Sequence, residues 1–202
     1  MTDLEFALQL ADAADRISLD RFKALDLRVE TKPDRTPVTD ADRAVESELR
    51  SLISLHRPQD AVIGEEFENT AAAERSWIID PIDGTANYLR GVPVWASLIA
   101  LRVGGVIVLS VVSAPALGRR WWAERGQGAF TKDVDGSVRP CQVSQVAELK
   151  DASISFNSIR QWDQAGLLEP LIELTRKVWR DRAYGDFLSY MYLAEGLSLI
   201  YI

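Results

Sequence analysis

The segment Trp77–Tyr88, WIIDPIDGTANY, restricts this chain more than any other stretch. Its apolar start reads as a strand that delivers Asp80 to its C-terminal tip. Pro81 removes a backbone donor and turns the chain. Asp83 follows closely enough that both carboxylates can face one point. Gly84 lets the backbone approach a ligand, and Gly84 and Thr85 can present N–H groups at the start of a short helix. Converging carboxylates repel one another unless a cation lies between them. Oxygen donors without His or Cys suit a hard ion such as Mg²⁺. An isolated D-x-x-D is more simply a strand end followed by an Asx-rich turn, so the weight falls on the whole string.

Further acidic segments lie upstream. Gly64-Glu65-Glu66 follows a short apolar run, and Thr39-Asp40-Ala41-Asp42 stands at a helix start. Taken alone, the first is ordinary solvated surface and the second is negative charge favoured by a helix N-terminus.

Taken together, these segments resemble the inositol monophosphatase superfamily. WIIDPIDGTANY matches its signature at the defining positions, Gly64-Glu65-Glu66 stands where the family has Gly-Glu-Glu after a strand, and PVTDADRAVE resembles its T-x-x-D segment. The resemblance implies a layered α+β fold, an α/β/α/β sandwich of the inositol monophosphatase and fructose bisphosphatase type. It also implies Mg²⁺-dependent hydrolysis of a small phosphomonoester. Residue by residue, Glu65 and Asp80 would ligate a first Mg²⁺, with the Ile82 carbonyl, and Asp80 and Asp83 would share a second. Asp42 would hold a water or a third ion. Thr85, with Glu65 and a metal, would orient the attacking water, and the Gly84 and Thr85 amides would grip the phosphate. Asn87 is a further candidate substrate contact. A homodimer in the cytoplasm is also implied.

The segment Arg182-Ala183-Tyr184-Gly185-Asp186-Phe187 resembles the family's later substrate-reading region. Inositol-specific members carry Gly-Ser-Ala there, whereas Gly-Asp-Phe fits histidinol-phosphatase-like members. Histidinol phosphate bears an ammonium and an imidazole, and Asp186 could accept a hydrogen bond from either. Arg182 could pair with Asp186 or meet the phosphate. Asp186 could equally be the N-cap of a helix over 187–196. Within the family the rivals are an inositol-1-monophosphatase and, further off, a nucleotide bisphosphate phosphatase; outside it, a remnant that binds metal or dimerises without turnover.

Composition narrows the classes. The formal charge of −7 gives no phosphate-neutralising term, which disfavours nucleic acid as a partner. His56 is the only histidine, which excludes a multi-histidine zinc site and leaves a Ser-His-Asp triad without a nucleophile motif. It reads as a helix-end surface residue. Cys141 is the sole cysteine, so a reducing compartment is expected. The acidic N-terminus does not resemble a signal peptide, and the apolar runs Val94–Leu101 and Val106–Ala114 are too short and interrupted to span a membrane.

Along the chain, periodicity predicts helices over 3 to about 25 and from Thr39 or Asp40 to His56. The prolines of Lys32–Pro37 break helix between them. Short strands are expected at Ala61–Gly64 and Ser76–Asp80, hairpins at Gly104-Gly105 and Asp135-Gly136, and strands at Arg119–Glu124 and Ala152–Phe156. Helices follow over 163–178 and 186–196. Trp121 and Trp122 read as strand core and dimer surface. The expected division is a metal- and phosphate-binding portion over 1–145 and the start of a substrate portion over 146–202. The resemblance leads one to expect a Val-Asp after Ala194-Glu195-Gly196-Leu197 and a later Asp completing the second metal site. Ser198-Leu199 stand in the first place and the chain stops at Ile202, so a truncated form with a weakened second metal is expected, its last apolar residues forming an unpaired strand edge.

Overall fold

The structure, a computed structural model, describes residues 1–32 and 36–201. The chain forms two compact units, Met1–Pro140 and Cys141–Ile202.

The first unit opens with α1, Asp3–Arg21, started by a capping box in which Thr2 N donates to Glu5 Oε2 at 2.7 Å and Glu5 N to Thr2 Oγ1 at 3.1 Å. Phe6, Leu10 and Ala14 form its buried stripe. The helix ends short of the expected position because Lys23 adopts a left-handed φ of 65°. Phe22 instead turns inward, its ring centroid 5.3 Å from those of both Tyr88 and Trp95. A hairpin of β1 (Val29–Thr31) and β2 (Pro37–Thr39) follows, which the sequence pattern did not suggest. Pro33, Asp34 and Arg35 of the polar segment lie outside the described residues. Then α2, Asp40–His56, begins at a second capping box, between Thr39 and Asp42. His56 is an exposed helix-end residue, as expected, with its ring edge-on to Phe6.

The strands β3 (Ala61–Ile63), β4 (Arg75–Asp83), β5 (Ala96–Val103), β6 (Val106–Ala114), β7 (Arg119–Glu124), β8 (Gly128–Lys132) and β9 (Val138–Pro140) form one sheet in chain order. Within this sheet only the β3–β4 pairing is parallel. Residues of α1 and α2, among them Phe6, Leu10, Val45, Leu49 and Ile53, bury against Trp77, Ile79, Ile99, Leu101 and Val111. Trp77 is fully buried and its Nε1 donates to Asp60 Oδ2 at 2.9 Å, so its indole is both packed and satisfied.

The site is positioned by an irregularity in β4. The strand does not stop at Asp80. Asp80 pairs with Leu98 and Asp83 with Ala96, so the register shifts between them. Pro81, which cannot donate to a ladder, falls inside this bulge, and its carbonyl accepts from Ser97 Oγ at 2.7 Å. Beyond Gly84 the chain enters α3, Thr85–Leu89. Ile82 and Tyr88 are fixed there in a separate cluster with Ala41 and Trp95.

The second unit has a parallel sheet in which β10 (Ser153–Ser155) lies between β11 (Arg180–Arg182) and β12 (Ile200–Tyr201). The single helix expected over 163–178 is two, α4 (Ile159–Gln164) and α5 (Leu168–Thr175), because Gly166 between them takes a left-handed φ of 71°. The last helix, α6, spans Asp186–Ala194. The C-terminal apolar run is paired on one side: β12 lies along β10 as the edge strand of this sheet, and Leu199 N donates to Ser153 O at 2.7 Å. Helices packed on a mixed sheet make this an α+β protein.

Candidate active site

The start of α2 and the end of β4 meet through side chains. Asp42 is 1% exposed. Its Oδ2 accepts from Thr39 N at 2.9 Å and from Thr39 Oγ1 at 2.5 Å, closing the cap. Its Oδ1 accepts from Thr85 Oγ1 at 3.3 Å, and Thr85 also reaches Ile82 O at 3.0 Å. Burial raises the Asp42 carboxyl above its ordinary range, against the hydrogen bonds from Thr39 and Thr85 that lower it. Capping and the contact with Thr85 thus coexist in one carboxylate.

Asp80 sits at the bulge. Its Oδ1 is buried without a hydrogen-bond partner. Its pKa is pushed up to about 8, first by burial, then by the charges of Glu65 and Asp83, a hydrogen bond with Glu65 and the charge of Asp42. A proton on Asp80 therefore does part of the work that a cation would do. Lys32 does another part, with Nζ 2.7 Å from Glu65 Oε1 and 2.7 Å from Glu66 Oε1. Burial pulls the Lys32 ammonium down, but its bonds to Glu65 and Glu66 outweigh this and raise it. Burial likewise raises Glu66, partly offset by Lys32.

The residues fit a hard divalent cation in kind: an orphaned buried carboxylate oxygen among mutually repelling carboxylates, with oxygen donors only. They are not drawn around a common point, and among the described residues no group of three or more His, Cys, Asp or Glu side chains is arranged to hold a metal. Lys32 shows why, since its ammonium already holds Glu65.

The remaining expected residues fall as follows. Gly84 has the left-handed φ of 87° that a Cβ would strain, and its carbonyl accepts from Asn87 N at 2.9 Å and Tyr88 N at 3.0 Å. The first amides of α3 have no partner within the helix, as at any helix start. Asn87 Nδ2 donates to Val94 O at 2.9 Å, which ties α3 to the next loop. Arg182 and Asp186 belong to the second unit. Arg182 Nη1 donates to the carbonyl of Asp181 at 2.6 Å. Asp186 is not the N-cap; that place is taken by Gly185, and Asp186 is the first helical residue with φ 47°. Burial raises its carboxyl.

Two functional candidates escaped the sequence reading, Lys32 and Glu46. Glu46 is fully buried on α2, where it accepts from the amides of Glu65, Glu66 and Phe67. The available signal was a glutamate one turn beyond Asp42, flanked by the buried Val45 and Leu49.

A family profile described as the inositol monophosphatase family matches residues 2–202. The chain is 61% identical over 197 residues to a histidinol-phosphatase of Mycobacterium tuberculosis, covering 96% of this chain and 75% of the relative. It is 56% identical over 200 residues to a histidinol-phosphatase of Streptomyces coelicolor, covering 97% and 75%. Among solved structures, the extragenic suppressor protein SuhB of Bartonella henselae superposes with a TM-score of 0.87 at 31% identity, covering 96% of this chain and 75% of that one.

Proposed function

The chain belongs to the inositol monophosphatase family, and on that premise we propose that it hydrolyses histidinol phosphate to histidinol and phosphate with Mg²⁺ as its cofactor. The class is a phosphoric monoester hydrolase acting on a small phosphorylated metabolite. The observation that carries the mechanism is Asp80, a buried carboxylate with an unpartnered oxygen among the charges of Glu65, Asp83 and Asp42.

Glu65, Asp80, Asp83 and the Ile82 carbonyl would hold the metal ions, with Asp42 on a bound water or a third ion. Bound Mg²⁺ would acidify water, neutralise phosphate charge and stabilise the leaving oxygen. The chain's own part is positioning and proton handling. Thr85 spends its proton towards Asp42 and Ile82, so its oxygen lone pairs remain to accept from an attacking water. A water held there donates to Thr85 while Thr85 donates to Asp42, whose raised pKa suits it to receive a proton. The Gly84 and Thr85 amides would bind phosphate oxygens.

The names of the two relatives support histidinol phosphate as substrate, and so does Asp186, a carboxylate suited to an ammonium or imidazolium. Homodimer assembly, a cytoplasmic setting and a place in histidine biosynthesis rest on the family resemblance. Inositol-1-monophosphatase is the nearest rival. The test is phosphate release from L-histidinol phosphate with and without Mg²⁺, beside Asp80→Asn. A Mg²⁺-dependent rate abolished in the variant is expected; a rate indifferent to Mg²⁺ or to Asp80→Asn would overturn the assignment.

A further inference from the structure

We propose that Glu46 is a positioning residue that sets the Glu65–Glu66 loop against the other carboxylates and so controls metal affinity. This rests on the metal reading of the same site. Glu46 projects from the buried face of α2 and is completely excluded from solvent. Oε2 accepts from Glu65 N at 2.9 Å and Glu66 N at 2.7 Å. Oε1 accepts from Phe67 N at 3.3 Å and from Arg50 Nε at 2.8 Å. One carboxylate therefore gathers consecutive amides of the loop, as an anion does in a backbone nest. Arg50 completes the arrangement, with Nη2 donating to Phe67 O at 3.2 Å. The backbone that carries Glu65 is thus held from within the fold, independently of whatever cation its side chain meets.

Gly64 gives the same account from the other side. A Cβ added there would overlap the Glu46 carboxylate, at Oε1 and Cδ, and come within 2.8 Å of Arg50 Nη2. Gly64 is not among the glycines with positive φ, so its backbone is open to any residue. Space for Glu46, and not conformation, is what requires glycine at this position. The Gly64-Glu65-Glu66 motif consequently has a buried partner on α2, and the partner explains its first residue as well as the orientation of its second. Removing hydrogen-bonded supports behind metal ligands typically weakens metal binding by roughly 10–100-fold.

The experiment is Mn²⁺ titration of the full chain, free Mn²⁺ being read by electron paramagnetic resonance, with the melting temperature of each variant recorded alongside. Glu46→Gln replaces one acceptor oxygen by an amide that faces donors in either orientation, and is expected to weaken Mn²⁺ binding roughly tenfold or more in protein that still melts cooperatively. Gly64→Ala leaves the carboxylate in the sequence but displaces it, and is expected to give the same loss. In a Glu46→Ala background Gly64→Ala should add little further loss, because its clash with the carboxylate is gone and the flexible end of Arg50 can move aside. A merely structural role would lower the melting temperature and leave the affinity of the folded protein unchanged; that result for Glu46→Gln, or for Gly64→Ala should Glu46→Gln not fold, overturns the inference. Asp80→Asn separates the two levels. If it abolishes Mn²⁺ binding while the Glu46 and Gly64 variants bind normally, the positioning role alone falls. If it leaves binding intact, the metal reading falls and the positioning role with it.

Discussion

Thr85 Oγ1 lies 3.3 Å from Asp42 Oδ1 and so joins the first residue of α3 to the first turn of α2. Both partners are held by their own elements: Asp42 by the Thr39 cap, Thr85 by the carbonyl of Ile82. The pair is therefore set before any substrate arrives, which is the condition for efficient proton handling.

Thr85→Val keeps the shape of the side chain and removes the hydroxyl. Asp42 is then left buried with one acceptor oxygen short of a donor, at a cost of about 1–2 kcal/mol in stability. The larger effect falls on turnover, where loss of the water-orienting oxygen should lower kcat by roughly 10²-fold or more with KM little changed. Thr85→Ser restores the hydroxyl and should recover most of the rate. Steady-state kinetics on the three proteins checks this; equal activity of Thr85→Val and the parent removes Thr85 from the mechanism.

Lys32 neutralises Glu66, whose side chain is 4% exposed, and Glu65, which is far more open. In chelator, Lys32→Met removes the ammonium bound to the mostly buried Glu66 carboxylate, and stability should fall by about 1–3 kcal/mol. Adding Mg²⁺ should narrow the gap between variant and parent, since the ion supplies positive charge to the same carboxylates. Thermal melts with EDTA and with Mg²⁺ measure both effects.

Asp80 links stability to pH. Its folded pKa of about 8 lies above the ordinary 3.8, so the folded state holds a proton that the unfolded chain releases. That contribution is fully present below 3.8 and is lost as pH rises through about 8. Metal-free protein should therefore melt progressively lower from about pH 4 to about pH 8 and level off above that. On the proposed metal reading, Mg²⁺ would bind the ionised carboxylates and should flatten the decline. Asp80→Asn, permanently neutral, should melt higher than the parent in chelator at the alkaline end and gain nothing from Mg²⁺. A parent whose melting temperature in EDTA does not fall over this range would show that Asp80 is ionised throughout.

Much of this site was legible in the sequence because its chemistry is local. Asp80, Asp83, Gly84 and Thr85 stand within one short string, and the Thr39–Asp42 capping box declares the start of α2 by spacing alone. What was hidden depends on distant partners. Glu46 reads as a helix-surface glutamate until the amides of residues 65–67 are brought to it. Lys32 reads as loop charge until Glu65 and Glu66 surround its ammonium. The bulge in β4 follows from pairing with β5, which no periodicity within β4 reports. The division of α4 from α5 was available in Gly166, but a single glycine is tolerated in many helices and only its φ of 71° settles the matter.

Asp186 is the residue proposed to read the substrate's positive charge. Asp186 opens α6 in a left-handed conformation at φ 47°, held against the ordinary preference of a non-glycine residue. Burial raises its carboxyl. A half-buried carboxylate of this kind gains most from a ligand that brings its own positive charge. Histidinol phosphate does so through its ammonium and imidazole, and inositol 1-phosphate offers only hydroxyls. Asp186→Ser should therefore cut kcat/KM for histidinol phosphate by roughly 10–100-fold, the equivalent of about 1.4–2.7 kcal/mol, and change that for inositol 1-phosphate far less. Parallel kinetics on both substrates, with the melting curve as control for folding, gives the ratio directly. Equal loss on the two substrates would mean that Asp186 shapes the start of α6 and does not read the ammonium.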